Sequence, residues 1–335
     1  MDVIEPRGVL PEKKPEAIRK ETGLRTSREM KSVLRRQNWA RVSRMRWLYF
    51  LLLIPVILVF IFRYIPMYGV LIAFVDYRWG KSLFTSAWNN FEYFKLIYQN
   101  PFFGRIMFNT VFISFLRIIF GFPAPIILAL LLNEIGSSTY KKVVQTITYL
   151  PHFMSWVILA GILIEILSPT RGPVGYIYTL LGKEPVNWLI FEPTFRGLLV
   201  VTGVWKGVGW GAIVYLAALS SIDPSLYESA AIDGTNRFQR AIHITLPSLI
   251  PVITILFILN LGNLINAGFD QIFNLYNPLV YSVADVLDTY IYRVGLLQTN
   301  YGLGAALGLF KNVVALILIF GTNAIIRRFS EYGIW

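Results

Sequence analysis

Six apolar runs, roughly Trp47–Tyr64, Met107–Leu132, Val143–Leu167, Gly197–Ala218, Pro247–Phe269 and Gly304–Ile326, constrain this chain more than any other feature. Each is near the length of about 20 residues at which a helix crosses a hydrocarbon core. Helices of soluble proteins keep a broad polar face, and these runs show far less polar surface than that. With 55% hydrophobic and 15% charged residues, the composition agrees. The expected fold is all-α, a multi-pass membrane protein with six transmembrane helices.

Charge placement orients it. The net charge is +12, and residues 1–46 hold 13 Lys/Arg against 6 Asp/Glu, densest just before the first run. Nucleic acid is one partner class for such a surplus, but its position beside a span points to membrane lipid instead. With that tail inside, inner segments carry 19 Lys/Arg and outer ones 9, which predicts both termini in the cytoplasm. The expected domains are a basic cytoplasmic tail, 1–46, and a transmembrane domain, 47–335, with a cytoplasmic loop at 219–246. Three loops, about 65–106, 168–196 and 270–303, then face out, and no internal repeat is evident.

Soluble chemistry has little to work with. There are no cysteines and two histidines, His152 and His243, with no HExxH pattern or carboxylate cluster. No metal site or catalytic residue is expected. A phosphate loop is also missing: beside Gly182 and Lys183, Ile177 stands where the first glycine is needed and Glu184 where Ser or Thr is needed.

Polar features inside the runs mark candidate contacts. In "GVWKGVGWG", Gly203, Gly207 and Gly211 form two overlapping GxxxG patterns, a strip for close helix approach within the chain or, less favoured, between chains. Lys206 in that stretch should face protein or water. Asn260, Asn263 and Asn266 recur every three residues and Asp270 continues the line. This predicts one polar stripe on the fifth span, serving interhelical bonds or lining a solute pathway. Amides pair with hydroxyls, and rings such as Phe269, Tyr276, Trp205, Trp210 and Tyr215 cover C–H surfaces, so a polyhydroxylated solute suits the set. Arg117 and Glu165 fall well inside their runs, and Lys311 near the start of the last. Pairing in the bundle or a wet vestibule would satisfy them.

The polar stretch "SSIDPSLYESAAIDGT" carries helix start and stop signals. Asp223 can cap, Pro224 suits the first helical position and Gly234 ends the element. Between them Leu226, Tyr227, Ala230 and Ala231 make a small apolar ridge flanked by Glu228 and Ser229, a form suited to docking in a partner's groove. An amphipathic segment, "RFQRAIHITLP", then leads into Pro247.

The register Glu228, Ala230, Gly234, Ile244, Leu246, Pro247 resembles the EAA loop of permease subunits from binding-protein-dependent ABC importers, with Ser229 in place of the usual Ala. Over about 45–335, stretches such as "FGFPAPIILALLLNEI" and "YNPLVYSVADVLDTYIYRVGL" are similar to the carbohydrate-uptake family, polysaccharide or aldouronate branch. "LYNPLV" stands where maltose-type relatives carry Gly-Gly-Pro. The resemblance implies a type I ABC importer permease fold in a prokaryotic cytoplasmic membrane, with no enzyme activity of its own. It implies an EAA helix, with Leu226, Tyr227, Glu228, Ser229, Ala230, Ala231, Asp233, Gly234, Leu246 and Pro247, that couples to cytoplasmic ATPases. It also implies partners: a second, different permease, two ATPase subunits that bind ATP and Mg, and an extracytoplasmic solute-binding protein. The expected solute is an oligosaccharide, acidic ones included, passing Asn260, Asn263, Asn266, Phe269, Asp270, Trp205 and Trp210. The residues leave open an ion-coupled secondary carrier, a membrane-anchored sensor and an ABC permease for a non-sugar solute.

Overall fold

The computed structural model describes residues 45–78, 80, 82–261 and 265–329, without the side chains of 322 and 325–329. The chain divides into two units, Met1–Tyr68 and Gly69–Trp335. Nearly all of the basic tail lies outside the described residues. The first unit contains α1, Arg46–Val59, which accommodates Pro55 and continues through a π-helical turn, Phe60–Tyr64.

In the second unit, α2 (Glu92–Gln99) precedes α3 (Phe103–Gly121) and α4 (Pro123–Asn133), which together make one apolar span. Then come α5 (Ser138–Tyr149), α6 (Trp156–Ile166), α7 (Pro173–Leu180) and the long α8 (Glu192–Leu219). After the short α9 (Pro224–Ile232) follow α10 (Leu246–Leu261), α11 (Phe269–Leu275), α12 (Leu287–Ile291) and α13 (Tyr301–Phe329). Among the described residues, five helical runs are long and apolar enough to cross a membrane, and six if the bent pair of α5 and α6 counts as one.

That pair corrects the third run, expected as a single helix over Val143–Leu167. Pro151 removes a backbone donor and crowds the preceding turn, and a 3-10 turn, Leu150–Phe153, takes over. Ser155 then caps α6, its Oγ accepting from the Ile158 N–H at 3.3 Å. The two pieces bend by 106°. Lys206 of α8 seals the bend: its ammonium donates to the carbonyls of Pro151 (3.2 Å), His152 (3.0 Å) and Met154. A cation is favoured where a helix ends in unpaired carbonyls.

Helix α8 is the hub, packing against α3, α4, α5 and α10. The expected glycine strip is only partly right about why. A Cβ on Gly207 would meet nothing within 4 Å, and one on Gly203 would meet the Gln271 amide and Arg117 Nη2 at ordinary contact distances of 3.5–4.0 Å. The close approaches are at Gly209, where a Cβ would stand 2.2 Å from the Thr148 carbonyl oxygen, and at Gly211, 2.8 Å from the Pro125 ring. The contact is within the chain, against α5 and α4, and Gly209 lies outside the GxxxG register.

The segment expected as an outer loop at 270–303 is a structural centre. Ala267, Ile272, Leu275, Val280, Ala284 and Val286 are buried together with Ile113, Ala160, Phe195 and Leu199. Its backbone is held by side chains: the Asn109 amide donates to the Ser282 and Asp285 carbonyls, both at 3.1 Å. Arg196 Nε donates to the Val283 carbonyl at 3.0 Å, and its Nη2 to Asn109 Oδ1 at 2.7 Å. Buried irregular backbone needs such partners for its polar groups.

Candidate functional site

The fifth span does not carry the expected polar stripe. A nearly continuous helical run, Arg237–Leu261, passes through a π-helical turn at Ala241–Thr245 just before Pro247. Proline removes a backbone donor and crowds the preceding turn, which the wider turn accommodates. α10 ends at Leu261. Asn263 lies outside the described residues. Asn260 is exposed and its amide donates back to the Leu256 carbonyl at 2.9 Å. Asn266 sits in a non-helical stretch, its Oδ1 accepting from the Gly268 N–H at 3.3 Å. Asp270 belongs to the first turn of α11. Asn260, Asn266 and Asp270 therefore share no helix face. Period counting could not show this, because it carries one helical register through residues 265–268, which lie outside any helix and lead to Gly268, the N-cap of α11 with φ +83°.

The break builds a cavity of about 680 Å³. From the expected residues it gathers Asn266, Phe269 and Asp270; it adds Arg117 of α3, Trp156 of α6, Gln271 of α11, Asp288 of α12, Tyr292, and Lys311 of α13. Phe269 stacks on Phe273 at 5.2 Å and lies 5.6 Å from Tyr292, so one wall is aromatic. Asp288 and Lys311 form an ion pair. Arg117 donates through Nη2 to Gln271 Oε1. Gln271 is locked in turn, its amide nitrogen donating to the Leu199 carbonyl at 2.8 Å and to Thr202 Oγ1 at 2.7 Å.

The other expected pathway residues fall elsewhere. Trp205 and Trp210 do not line the cavity; Trp210 stacks on His152 at 4.5 Å, beside the bend. Tyr215 is buried between α4 and α10, with Ile126, Ala129 and Leu249. Tyr276 packs beside Tyr281 at 5.0 Å. Glu165 is at the end of α6 rather than deep in a span, 3.5 Å from Arg171. Sequence reading missed Trp156, Gln271, Asp288 and Tyr292. The signal available was Arg117 and Lys311, two intramembrane cations that require acceptors.

Beyond α10, Asp285 and Arg293 make a second ion pair, and Thr289 Oγ1 donates to Asp285 Oδ1 at 2.8 Å. Burial alone would lower the Arg293 guanidinium, but the Asp285 carboxylate holds it above its ordinary value. These residues do not line the cavity.

The polar loop forms the expected short helix. Asp223 Oδ1 accepts from the Ser225 N–H at 2.9 Å, which keeps that carboxyl below its usual range. Gly234 stops α9 with φ +77°, a left-handed position where glycine is at no disadvantage. The apolar ridge is divided, however. Tyr227 and Ala230 are half-buried, and the Tyr227 hydroxyl bonds to Thr245 Oγ1 at 3.0 Å, so they seat α9 on its own chain. Leu226, Ala231, Glu228, Ser229, Asp233 and Gly234 are exposed. So are two large apolar side chains that the motif did not mark, Ile232 at 87% and Phe238 at 73%. Leu246 is half-buried and Pro247 exposed, at the start of α10. A second short stretch meets this loop, with Arg237 Nη1 donating to the Glu134 carbonyl at 3.4 Å.

Known proteins resemble the whole of this arrangement. The chain is 44% identical over 300 residues to Protein LplB of Bacillus subtilis (strain 168), covering 89% of this chain and 94% of that one. It is 37% identical over 301 residues to the polygalacturonan/rhamnogalacturonan transport system permease protein YteP of the same organism, covering 90% and 94%. The fold matches a chain of a bacterial ABC transporter involved in import of the acidic polysaccharide alginate, with TM-score 0.80, 41% identity, and coverage of 88% of this chain and 100% of that one. A bacterial alginate ABC transporter in complex with an alginate pentasaccharide-bound periplasmic protein matches equally, at TM-score 0.80 and 41% identity, covering 88% and 99%. Residues 121–331, which hold α9, α11 and most of the cavity wall, match the binding-protein-dependent transport system inner membrane component family, and the chain belongs to that family, the membrane-embedded permease subunits of ABC importers.

Proposed function

We propose that this permease subunit carries an oligosaccharide, acidic ones included, past the cavity at Asn266, Phe269 and Asp270, and that α9 couples the passage to ATP hydrolysed on partner subunits. The observation that carries the solute class is the cavity itself: aromatic faces, an amide and a carboxylate around about 680 Å³. Sugar rings offer C–H faces to Phe269 and Tyr292, and hydroxyls to Asn266 and Asp270. That volume lies in the range that small-molecule sites occupy. Relatives named for polygalacturonan and for alginate support the class.

The assembly follows the family: a second permease, two cytoplasmic ATPases binding ATP and Mg, and an extracytoplasmic binding protein like the one in the alginate complex. The surplus of Lys and Arg in the tail supports a topology with both termini in the cytoplasm of a prokaryotic cell. α9 then lies on the cytoplasmic side, where exposed Glu228, Ser229 and Ile232 meet an ATPase, while Tyr227 and Thr245 pass its movement to α10. ATP-driven closure favours one of two cavity conformations by binding it more tightly.

The test uses the assembled transporter in proteoliposomes. Glu228→Lys and Gly234→Asp should each abolish ATP-dependent uptake while leaving membrane insertion intact. Normal uptake by both variants would remove α9 from the coupling path, and uptake by the purified chain without any ATPase would replace the mechanism with a secondary carrier.

A further inference from the structure

The intramembrane and loop cations of this chain differ in how fully the protein satisfies them. Lys206 has three carbonyl acceptors. Lys311 is paired with Asp288, and Arg293 with Asp285. Arg196 bonds Asn109 and the Val283 carbonyl, with the Phe112 ring 5.0 Å from its guanidinium carbon. Among the described cations that the protein buries, Arg117 is the exception. A guanidinium has five N–H donors, and the hydrogen bond found for this one among the described residues is to the Gln271 amide oxygen. Its Nε is buried with no acceptor, and no carboxylate lies within ion-pair distance among the described residues.

The surrounding structure holds this cation in place. Gln271 is pinned by Leu199 and Thr202, so its oxygen cannot swing away. Gly268 lets the guanidinium pass against bare backbone: a Cβ there would stand 1.9 Å from Nη1. A charged side chain in a span that is neither lipid-facing nor paired marks a functional site. Of the four charges lining the cavity, Asp288 and Lys311 neutralise each other. Arg117 and Asp270 remain, both lining the cavity and without an ion pair between them.

We propose that Arg117 is the specificity-determining residue of the cavity, an anchor for the carboxylate of a uronate unit, with Asp270 accepting from the hydroxyls of the same sugar. This rests on the oligosaccharide reading above and adds the atom that distinguishes acidic from neutral chains. The planar fork of a guanidinium matches a carboxylate with two parallel N–H···O bonds. The aromatic wall of Phe269 and Tyr292 serves any sugar ring, so it supplies affinity without discriminating charge.

The experiment compares uptake of trigalacturonate and its fully methyl-esterified, neutral form by the complete transporter in proteoliposomes, with binding protein saturated by each ligand. Arg117→Gln should lower the acid-to-ester uptake ratio by about tenfold or more, the scale of a lost charged hydrogen-bond pair, while ester uptake persists. Equal loss of both ligands would make Arg117 a packing residue and overturn the proposal. An unchanged ratio would overturn it too, as when an anionic lipid fills the site. If Arg117→Gln fails to assemble, Arg117→Lys decides: a ratio lowered but still favouring the acid supports the anchor, and a wild-type ratio overturns it. Wild-type complex that carries neither ligand would refute the oligosaccharide reading itself.

Discussion

Gly268 shows how one residue can set the shape of a site. Its φ of +83° is a conformation that L side chains rarely adopt, and the Arg117 guanidinium occupies the space a Cβ would need. Both conditions favour glycine, and together they link the start of α11 to the position of the cavity's cation. Gly268→Ala is expected to cost more than about 1 kcal/mol from backbone strain alone, and to displace Arg117. The check is the thermal midpoint and uptake of the purified complex, and wild-type values for both would show that the two groups do not constrain each other. The ion pair of Asp288 and Lys311 works by a different logic. Side-chain exposures of 17% and 21% leave either charge poorly hydrated without the other. Asp288→Asn or Lys311→Met should each destabilise by about 1–3 kcal/mol, and the double variant should recover much of the loss. Additive losses in thermal melts would refute the coupling.

At the scale of elements, helix ends matter more here than helix interiors. The third span is two helices because Pro151 stops one and Ser155 starts the next, and Lys206 holds the carbonyls exposed between them. α9 is short for the same kind of reason: Asp223 begins it and Gly234 ends it. The Asp223 carboxylate contributes fully above its ordinary value of 3.8 and loses that contribution as pH falls through its lowered one. The helix is thus fully capped at neutral pH. Its division into a seated side, Tyr227 and Ala230, and an exposed side, Glu228, Ser229 and Ile232, suits a lever. One face stays with the chain and the other is free for a partner.

Across the whole molecule, α8 sets the spacing of the bundle. Gly209 brings it against the α5 backbone and Gly211 against Pro125 of α4. Gly209→Leu should drive α5 and α8 apart, since the obstacle at 2.2 Å is a carbonyl and cannot rotate away. The expected result is loss of assembled complex on size-exclusion chromatography, whereas Gly207→Leu, with open space around it, should assemble. Equal behaviour of the two variants would show that the helices are not in close contact there. The segment after α10 completes the bundle by filling its middle: Ile272, Val280, Ala284 and Val286 are fully buried.

The sequence by itself determined the class of protein, the number of apolar crossings and the short capped helix between the fourth and fifth. Those rest on signals that are local in the chain: run length, charge flanking a run, and cap residues at fixed offsets. It also supplied Asn266, Phe269 and Asp270 as cavity residues, though for a geometric reason that does not hold. Only the tertiary structure decided that these three meet Arg117, Trp156, Gln271, Asp288 and Lys311, because that meeting depends on the non-helical stretch that leads into α11 and on which helices α8 draws together. Periodicity describes one helix at a time, and the cavity is made by the places where helices stop.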